Sequence, residues 1–183
     1  MSALVFLAPG FEDIEGITVI DILRRAEIET VVAGLVRGPI IAARKTHHLA
    51  DVLLDEVNPA REFEVIVLPG GDQGAKHLAE SPLVRDWLVR QRERNQWVAA
   101  VCAAPTALLA HGWLKPEQKI TCHPSVRSQF SVGQVQTARV VVEEKLITGM
   151  AAGAAMEWAY EIVRCLRGNA ATAKVNQGVH AVV

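Results

Sequence analysis

The sequence predicts an α/β domain, a doubly wound and mainly parallel sheet with helices on both faces. Two observations carry this. Along the chain, apolar runs of strand length alternate with segments of helical period. The runs are continuously apolar rather than alternating, as expected of strands covered on both sides. The chain has 183 residues, 50% of them apolar, which is enough to fill one sizeable core. No repeat, low-complexity tract or linker interrupts it, so residues 1–183 read as one domain.

The elements follow in order. ALVFLA (3–8) is a buried strand, and Pro9-Gly10 ends it. Ile14, Ile17, Ile20 and Leu23 then recur near helical spacing, with acidic residues opening the helix and Arg24 and Arg25 closing it, as the helix dipole favours. ETVVAGL is a second strand. Short extended pieces are expected around Ile40–Ala43 and His48–Leu53, before the clear strand EVIVLPGG (64–71). PLVRDWLVRQRER (82–94) reads as an amphipathic helix and WVAAV (97–101) as a strand. PTALLAHGW (105–113) starts a helix with proline in its first turn, where the missing N–H costs nothing. KITC, ARVVVEE and KLITGM read as later strands, two of them paired as a hairpin. A long helix over 152–168 is expected to end at Gly168.

Composition excludes several function classes. With 19 basic and 20 acidic residues, the chain has no positive surplus for a nucleic-acid groove or a polybasic membrane patch. Its first residues lack the basic start of a signal peptide, and no apolar run approaches the roughly 20 residues that span a bilayer. The three cysteines, Cys102, Cys122 and Cys165, are odd in number and lack a C-x-x-C pair, so neither a disulfide framework nor a zinc site is expected. Free thiols point to the cytoplasm. His47-His48 and Cys122-His123 are adjacent pairs whose side chains would face opposite ways in a strand, so no metal site and no cofactor are expected.

In doubly wound sheets, chemistry collects beyond the carboxyl ends of the strands. Pro9–Glu15, Leu68–Gly71 and Cys102–Pro105 all fall at such ends. Cys102 sits where a strand runs straight into a helix, flanked two residues away by the small Ala100 and Ala104, the spacing of a nucleophile elbow. Helix N–H groups there would favour the thiolate. On spacing alone, an inert core cysteine remains an equal reading. Glu12 and Asp13 suit helix capping. Glu15, on a neighbouring face, can point to the strand ends, where a buried neutral carboxyl group would donate a hydrogen bond to sulfur. The Gly70-Gly71 loop can offer backbone N–H groups which, with that of Ala103, would face a bound oxygen. His123, at the end of KITC, is a candidate general base or hydrogen-bond donor.

Five segments together, LAPGFEDIE (7–15), DILRRAEI (21–28), VIVLPGGDQGA (65–75), VAAVCAAPTALLAHG (98–112) and ITCHP (120–124), resemble the ThiJ/PfpI superfamily over nearly the full length. The resemblance is to the branch of the Parkinson-associated protein deglycase and its bacterial relatives. It implies a flavodoxin-like sandwich and a homodimer, with Cys102 as an oxidation-prone nucleophile hydrogen-bonded by Glu15. Gly71 and Ala103 match backbone amides facing the site, and His123 the nearby histidine. Arg25 and Arg44 match arginines near the dimer interface and the site mouth. The implied activity is a cofactor-independent glyoxalase, a lyase or hydrolase acting on methylglyoxal, glyoxal or glycated adducts. The alternative is a redox sensor or chaperone in which Cys102 is oxidised. Two departures stand out. Ala103 follows the cysteine where the peptidase branch has histidine, so peptidase activity is not expected. Met150-Ala151-Ala152-Gly153 replaces the usual Gly-Pro-Gly turn.

Overall fold

A computed structural model describes residues 1–182. The chain opens with β1 (Ser2–Leu7), α1 (Asp13–Arg25) and β2 (Glu29–Gly34), then three two-residue strands, β3 (Ile40–Ile41), β4 (His47–His48) and β5 (Val52–Leu53). β6 (Val65–Leu68), α2 (Asp72–Glu80), α3 (Pro82–Glu93), β7 (Trp97–Val101) and α4 (Pro105–Ala110) follow. β8 (Val140–Glu143), β9 (Leu146–Gly149) and α5 (Ala155–Val179) complete it.

The seven-stranded sheet has the order β5-β2-β1-β6-β7-β9-β8, parallel except for the terminal β8–β9 hairpin. β2-β1-β6-β7-β9 is the flavodoxin-like winding, with its reversal between β1 and β6. Each strand sends alternate residues to two cores. Leu4, Phe6, Ile66, Leu68 and Ala100 pack under α2, α3 and α4, whereas Val5, Val65, Val67, Ala99 and Val101 pack under α1 and α5. The uninterrupted apolar strands are therefore explained by helices on both faces, as their sequence predicts.

The structure differs from the sequence reading at three places. KITC forms no strand; Ile120 makes a single bridge to Val135, and both Ile120 and Cys122 are buried beside α4 instead. Asp72–Glu80 forms a helix the sequence reading does not include. Gly168 interrupts the last helix with φ 78° and ψ 175° but does not end it, because a further helical stretch runs on to Val179. That stretch returns to the core through Val175, and Tyr160 Oη donates to Asn176 Oδ1 at 3.0 Å.

Candidate active site

Three strand ends build the site. At the first, Glu12 caps α1, its side chain accepting the Glu15 N–H at 3.0 Å. In an ordinary capping box the third residue of the helix reaches back to the N–H of the cap. Here the Glu12 N–H goes to the carbonyl of Gly70 (3.1 Å), and Glu15 Oε2 accepts the N–H of that same glycine (2.8 Å). This two-way clasp joins the turn after β1 to the turn after β6 and turns Glu15 into the site. Only glycine fits at position 70. A Cβ there would lie 2.7 Å from Glu15 Oε2 and 2.8 Å from the Cys102 Cβ. Gly71 has φ 85°, and a Cβ there would lie 2.3 Å from the carbonyl oxygen of Gly10.

Cys102 leaves β7 in the left-handed region, with φ 63°. For a residue with a side chain this costs about 1–2 kcal/mol, so it persists only because the surroundings dictate it. Two hydrogen bonds do so: its N–H donates to Gly149 O (2.9 Å), and its carbonyl accepts the N–H of His123 (2.8 Å). The half-buried thiol faces the N–H groups of Gly71 and Ala103 and the carboxyl group of Glu15.

The electrostatics are those of a shared proton site. Glu15 is fully buried, and desolvation raises its carboxyl group from 4.5 to about 7, against the lowering effect of its hydrogen bonds to Cys102 and Gly70. Burial and a charged Glu15 would together push the Cys102 thiol up to about 12, with the Gly71 and Ala103 amides pulling it down. The two groups titrate as one pair, so the first charge goes where it is better held. A Glu15 carboxylate would be held by the Gly70 N–H and the Cys102 thiol but would stay fully buried, and its Oε1 is buried without a hydrogen-bond partner. The sulfur is partly exposed and has two amides. A neutral Glu15 avoids the cost of a buried charge and can donate its proton to the sulfur beside it, which favours a charge held on Cys102. The helix effect anticipated from sequence is minor, since α4 has only six residues and begins at Pro105.

His123 is tied to the elbow through its backbone. Its ring Nδ1 lies 2.7 Å from Ser125 Oγ and accepts the Ser125 N–H at 3.2 Å, capping a short 3-10 turn. In the neutral ring the proton therefore sits on Nε2, which makes the ring a donor rather than a base. Arg25 is not brought to the site. It pairs with Asp21 at 2.7 Å, ten residues of helix beyond Glu15, or roughly 15 Å along the axis. Arg44 lies against the first turn of α1, its N–H donating to Asp13 Oδ2 at 2.9 Å. Gly149, not singled out from sequence, is a further positioning residue: a Cβ there would lie 2.9 Å from Val101 Cγ2 and 3.0 Å from the Trp158 ring. Arg139 steadies the altered turn at 150–153, pairing with Glu157 at 2.8 Å and donating to the carbonyl of Gly153. No group of three or more metal-ligating side chains occurs among the described residues, and no described helix is long and apolar enough to cross a membrane.

The DJ-1/PfpI family profile matches residues 1–165. The chain belongs to the DJ-1/PfpI family. A Caenorhabditis elegans relative described as glutathione-independent glyoxalase DJR-1.2 is 35% identical over 170 residues, covering 91% of this chain and 89% of its own. The crystal structure of Drosophila melanogaster DJ-1beta superposes with a TM-score of 0.94 at 38% identity, covering 100% of this chain and 98% of that one. An oxidized Toxoplasma gondii DJ-1 gives the same TM-score at 28% identity, covering 100% and 99%. These DJ-1 structures share the flavodoxin-like fold of this chain.

Proposed function

We propose that this DJ-1/PfpI protein is a cysteine-dependent, cofactor-independent glyoxalase that turns methylglyoxal or glyoxal into the hydroxyacid, with glycated adducts of the same dicarbonyls as a wider substrate class. The observation that carries the reading is a fully buried acid, raised to about 7, set against a nucleophilic sulfur. A group titrating near the working pH both gives and takes protons well. The named activity of the Caenorhabditis elegans relative supports the same class.

The chemistry follows from the pair. The Cys102 thiolate attacks the aldehyde carbon of methylglyoxal, and a C–S bond forms as the carbonyl π bond breaks. The amides of Gly71 and Ala103 hold the developing oxyanion, which takes the Glu15 proton to give a hemithioacetal. Glu15, now a carboxylate, removes the C1 proton to give an enediolate, whose C2 oxygen takes the hydroxyl proton of C1 while Glu15 holds the proton that returns to C2. Reprotonation at C2 gives a lactoyl thioester. Water then attacks the acyl carbon, the C–S bond breaks, and the sulfur leaves as thiolate. The sum is methylglyoxal plus water to lactate, with no net redox change. His123 contributes a donor through Nε2.

A second reading, a redox sensor, rests on the same amides and acid, which would hold the oxygens of an oxidised Cys102; an oxidized relative exists in Toxoplasma gondii. Turnover separates the two. Steady-state lactate formation from methylglyoxal is expected in the wild type and absent in Cys102→Ala. If the wild type gives no lactate above that variant, the glyoxalase reading fails.

The protein is further proposed to work in the cytoplasm as a homodimer. On α1, Ile14 and Ile17 are 56% and 40% exposed, three residues apart on one face, and suit burial against a second copy. Light scattering at micromolar concentration is expected to give twice the chain mass; a monomer would refute it.

A further inference from the structure

The stretch that brings His123 to the elbow arrives without a strand to guide it. Ile120 and Cys122 bury their side chains in the core beside α4, and Thr121 between them is fully buried as well. Its backbone N–H therefore needs an acceptor, since a buried unpaired N–H costs about as much as a lost hydrogen bond. A side chain supplies one: Thr148 Oγ1, 2.9 Å away.

Thr148 is fully buried in β9, on the same face of the sheet as Leu146, which packs into that core. Valine has the same branching, so filling this place does not call for a hydroxyl. A buried hydroxyl has to be bonded, and this one is bonded both ways. It accepts the Thr121 N–H and donates to Val141 O at 3.4 Å. The first of these bonds joins stretches of chain 27 positions apart. Both stretches then run on to Cys102. One residue after Thr148, the Gly149 carbonyl accepts the Cys102 N–H at 2.9 Å. Two residues after Thr121, the His123 N–H donates to the Cys102 carbonyl at 2.8 Å. These are the bonds that hold Cys102 at φ 63°, a conformation that does not persist unsupported.

We propose that Thr148 is a positioning residue of the active site. Its hydroxyl seats the 121–123 stretch against β9, so that His123 and Gly149 close on the Cys102 backbone from its two sides. The sulfur is thereby aimed at the Gly71 and Ala103 amides. Thr148 acts through the backbone of Cys102, and the proposal rests on the reading of Cys102 as the reactive nucleophile.

The test compares the full chain with Thr148→Val, Thr148→Ser and Ile66→Val. Two readouts need no turnover: hydrogen exchange of the His123 amide, and the pH dependence of Cys102 alkylation by iodoacetamide, mapped by mass. Thr148→Val leaves the Thr121 N–H buried without its acceptor, so the His123 amide should exchange at least about tenfold faster. The Cys102 alkylation midpoint should rise by at least about half a pH unit, as the sulfur loses part of its contact with the amides. Thr148→Ser keeps the oxygen and should return both readouts to their wild-type values. Ile66→Val removes a methyl group from the same core at β6, and should lower thermal stability while moving neither readout. Thr148→Ala, which removes the same oxygen, is measured alongside in case the valine form does not fold, and should behave as that form does. The proposal is overturned if loss of the hydroxyl leaves the Cys102 midpoint unchanged, even where His123 exchange rises, for Thr148 would then be a structural bond only. It is also overturned if Ile66→Val moves the midpoint equally or if serine fails to restore it. Wild-type Cys102 labelled no faster than Cys165 would defeat the nucleophile reading alone. The comparison of variants, which needs only a midpoint, would still decide whether Thr148 aims the thiol.

Discussion

Cys102 and Cys165 are both half-buried, and each has a glutamate beside it. The Sγ of Cys165 lies 3.7 Å from Glu161 Oε1, one turn away on α5. Burial, followed by the Glu161 charge, pushes that thiol up to about 11. The difference lies in what else touches each glutamate. Glu161 is paired with Arg164, whose Nε is 2.8 Å away, so it stands beside Cys165 as a compensated carboxylate. Glu15 has no cation, is fully buried, and therefore keeps its proton to about 7. Cys102 also has two backbone amides on its sulfur and a left-handed backbone that aims it at them, whereas Cys165 sits in regular helix. A carboxylate near a thiol suppresses it; a carboxylic acid near a thiol activates it. The glutamate's own solvation decides which it is.

The largest expected effect comes from making the Cys102 site resemble the Cys165 site. Gly70→Ala places a Cβ 2.7 Å from both Glu15 Oε2 and Val101 O, which must force Glu15 away from the sulfur. Carbonyl turnover should fall by at least about 100-fold, at a stability cost of about 1–3 kcal/mol. In mass-mapped alkylation at neutral pH, wild-type Cys102 should be labelled first, and in Gly70→Ala its rate should drop toward that of Cys165. Equal labelling of the two cysteines in the wild type would break the comparison.

A second effect tests the Glu15 proton by pH. The folded chain retains the Glu15 proton between about 4.5 and about 7, where the unfolded chain has lost it. Stability contributed by this group is therefore complete below 4.5 and declines as pH rises to about 7, by up to about 3 kcal/mol. Thermal unfolding of Glu15→Gln should lack that decline, so the variant gains on the wild type as pH rises through the window. A Glu15→Gln profile parallel to the wild type would mean that Glu15 is not held neutral.

Much of this was readable beforehand. The strand WVAAV and the elbow after it follow from an apolar run that stops at a small-residue turn, and Glu15 from its place in the first turn of α1. The clasp at Gly70 was not readable, because it joins residues 55 positions apart through backbone groups that no side-chain pattern encodes. α2 escaped because it starts from Gly71 in a left-handed conformation and carries Gly74 inside it. KITC misled because its apolar residues fill the core beneath α4 rather than a place in the sheet. Arg25 follows α1 faithfully, and the helix itself carries it away from the site.

The central claim is that Glu15 stands beside Cys102 as a neutral acid that donates to the thiolate. The direct test is thiolate absorbance against pH in a chain carrying Cys122→Ala and Cys165→Ala, with Glu15 intact, as Glu15→Gln, and as Glu15→Leu. A hydrogen bond to a charged group is worth roughly 1.5–3 kcal/mol, equivalent to about 1–2 pKa units. Glu15→Leu should therefore raise the Cys102 midpoint by about that amount, with Glu15→Gln, which keeps a weaker donor, in between. A midpoint that falls in both variants would contradict the account, since it would mean that Glu15 is the charged neighbour that holds the thiol up.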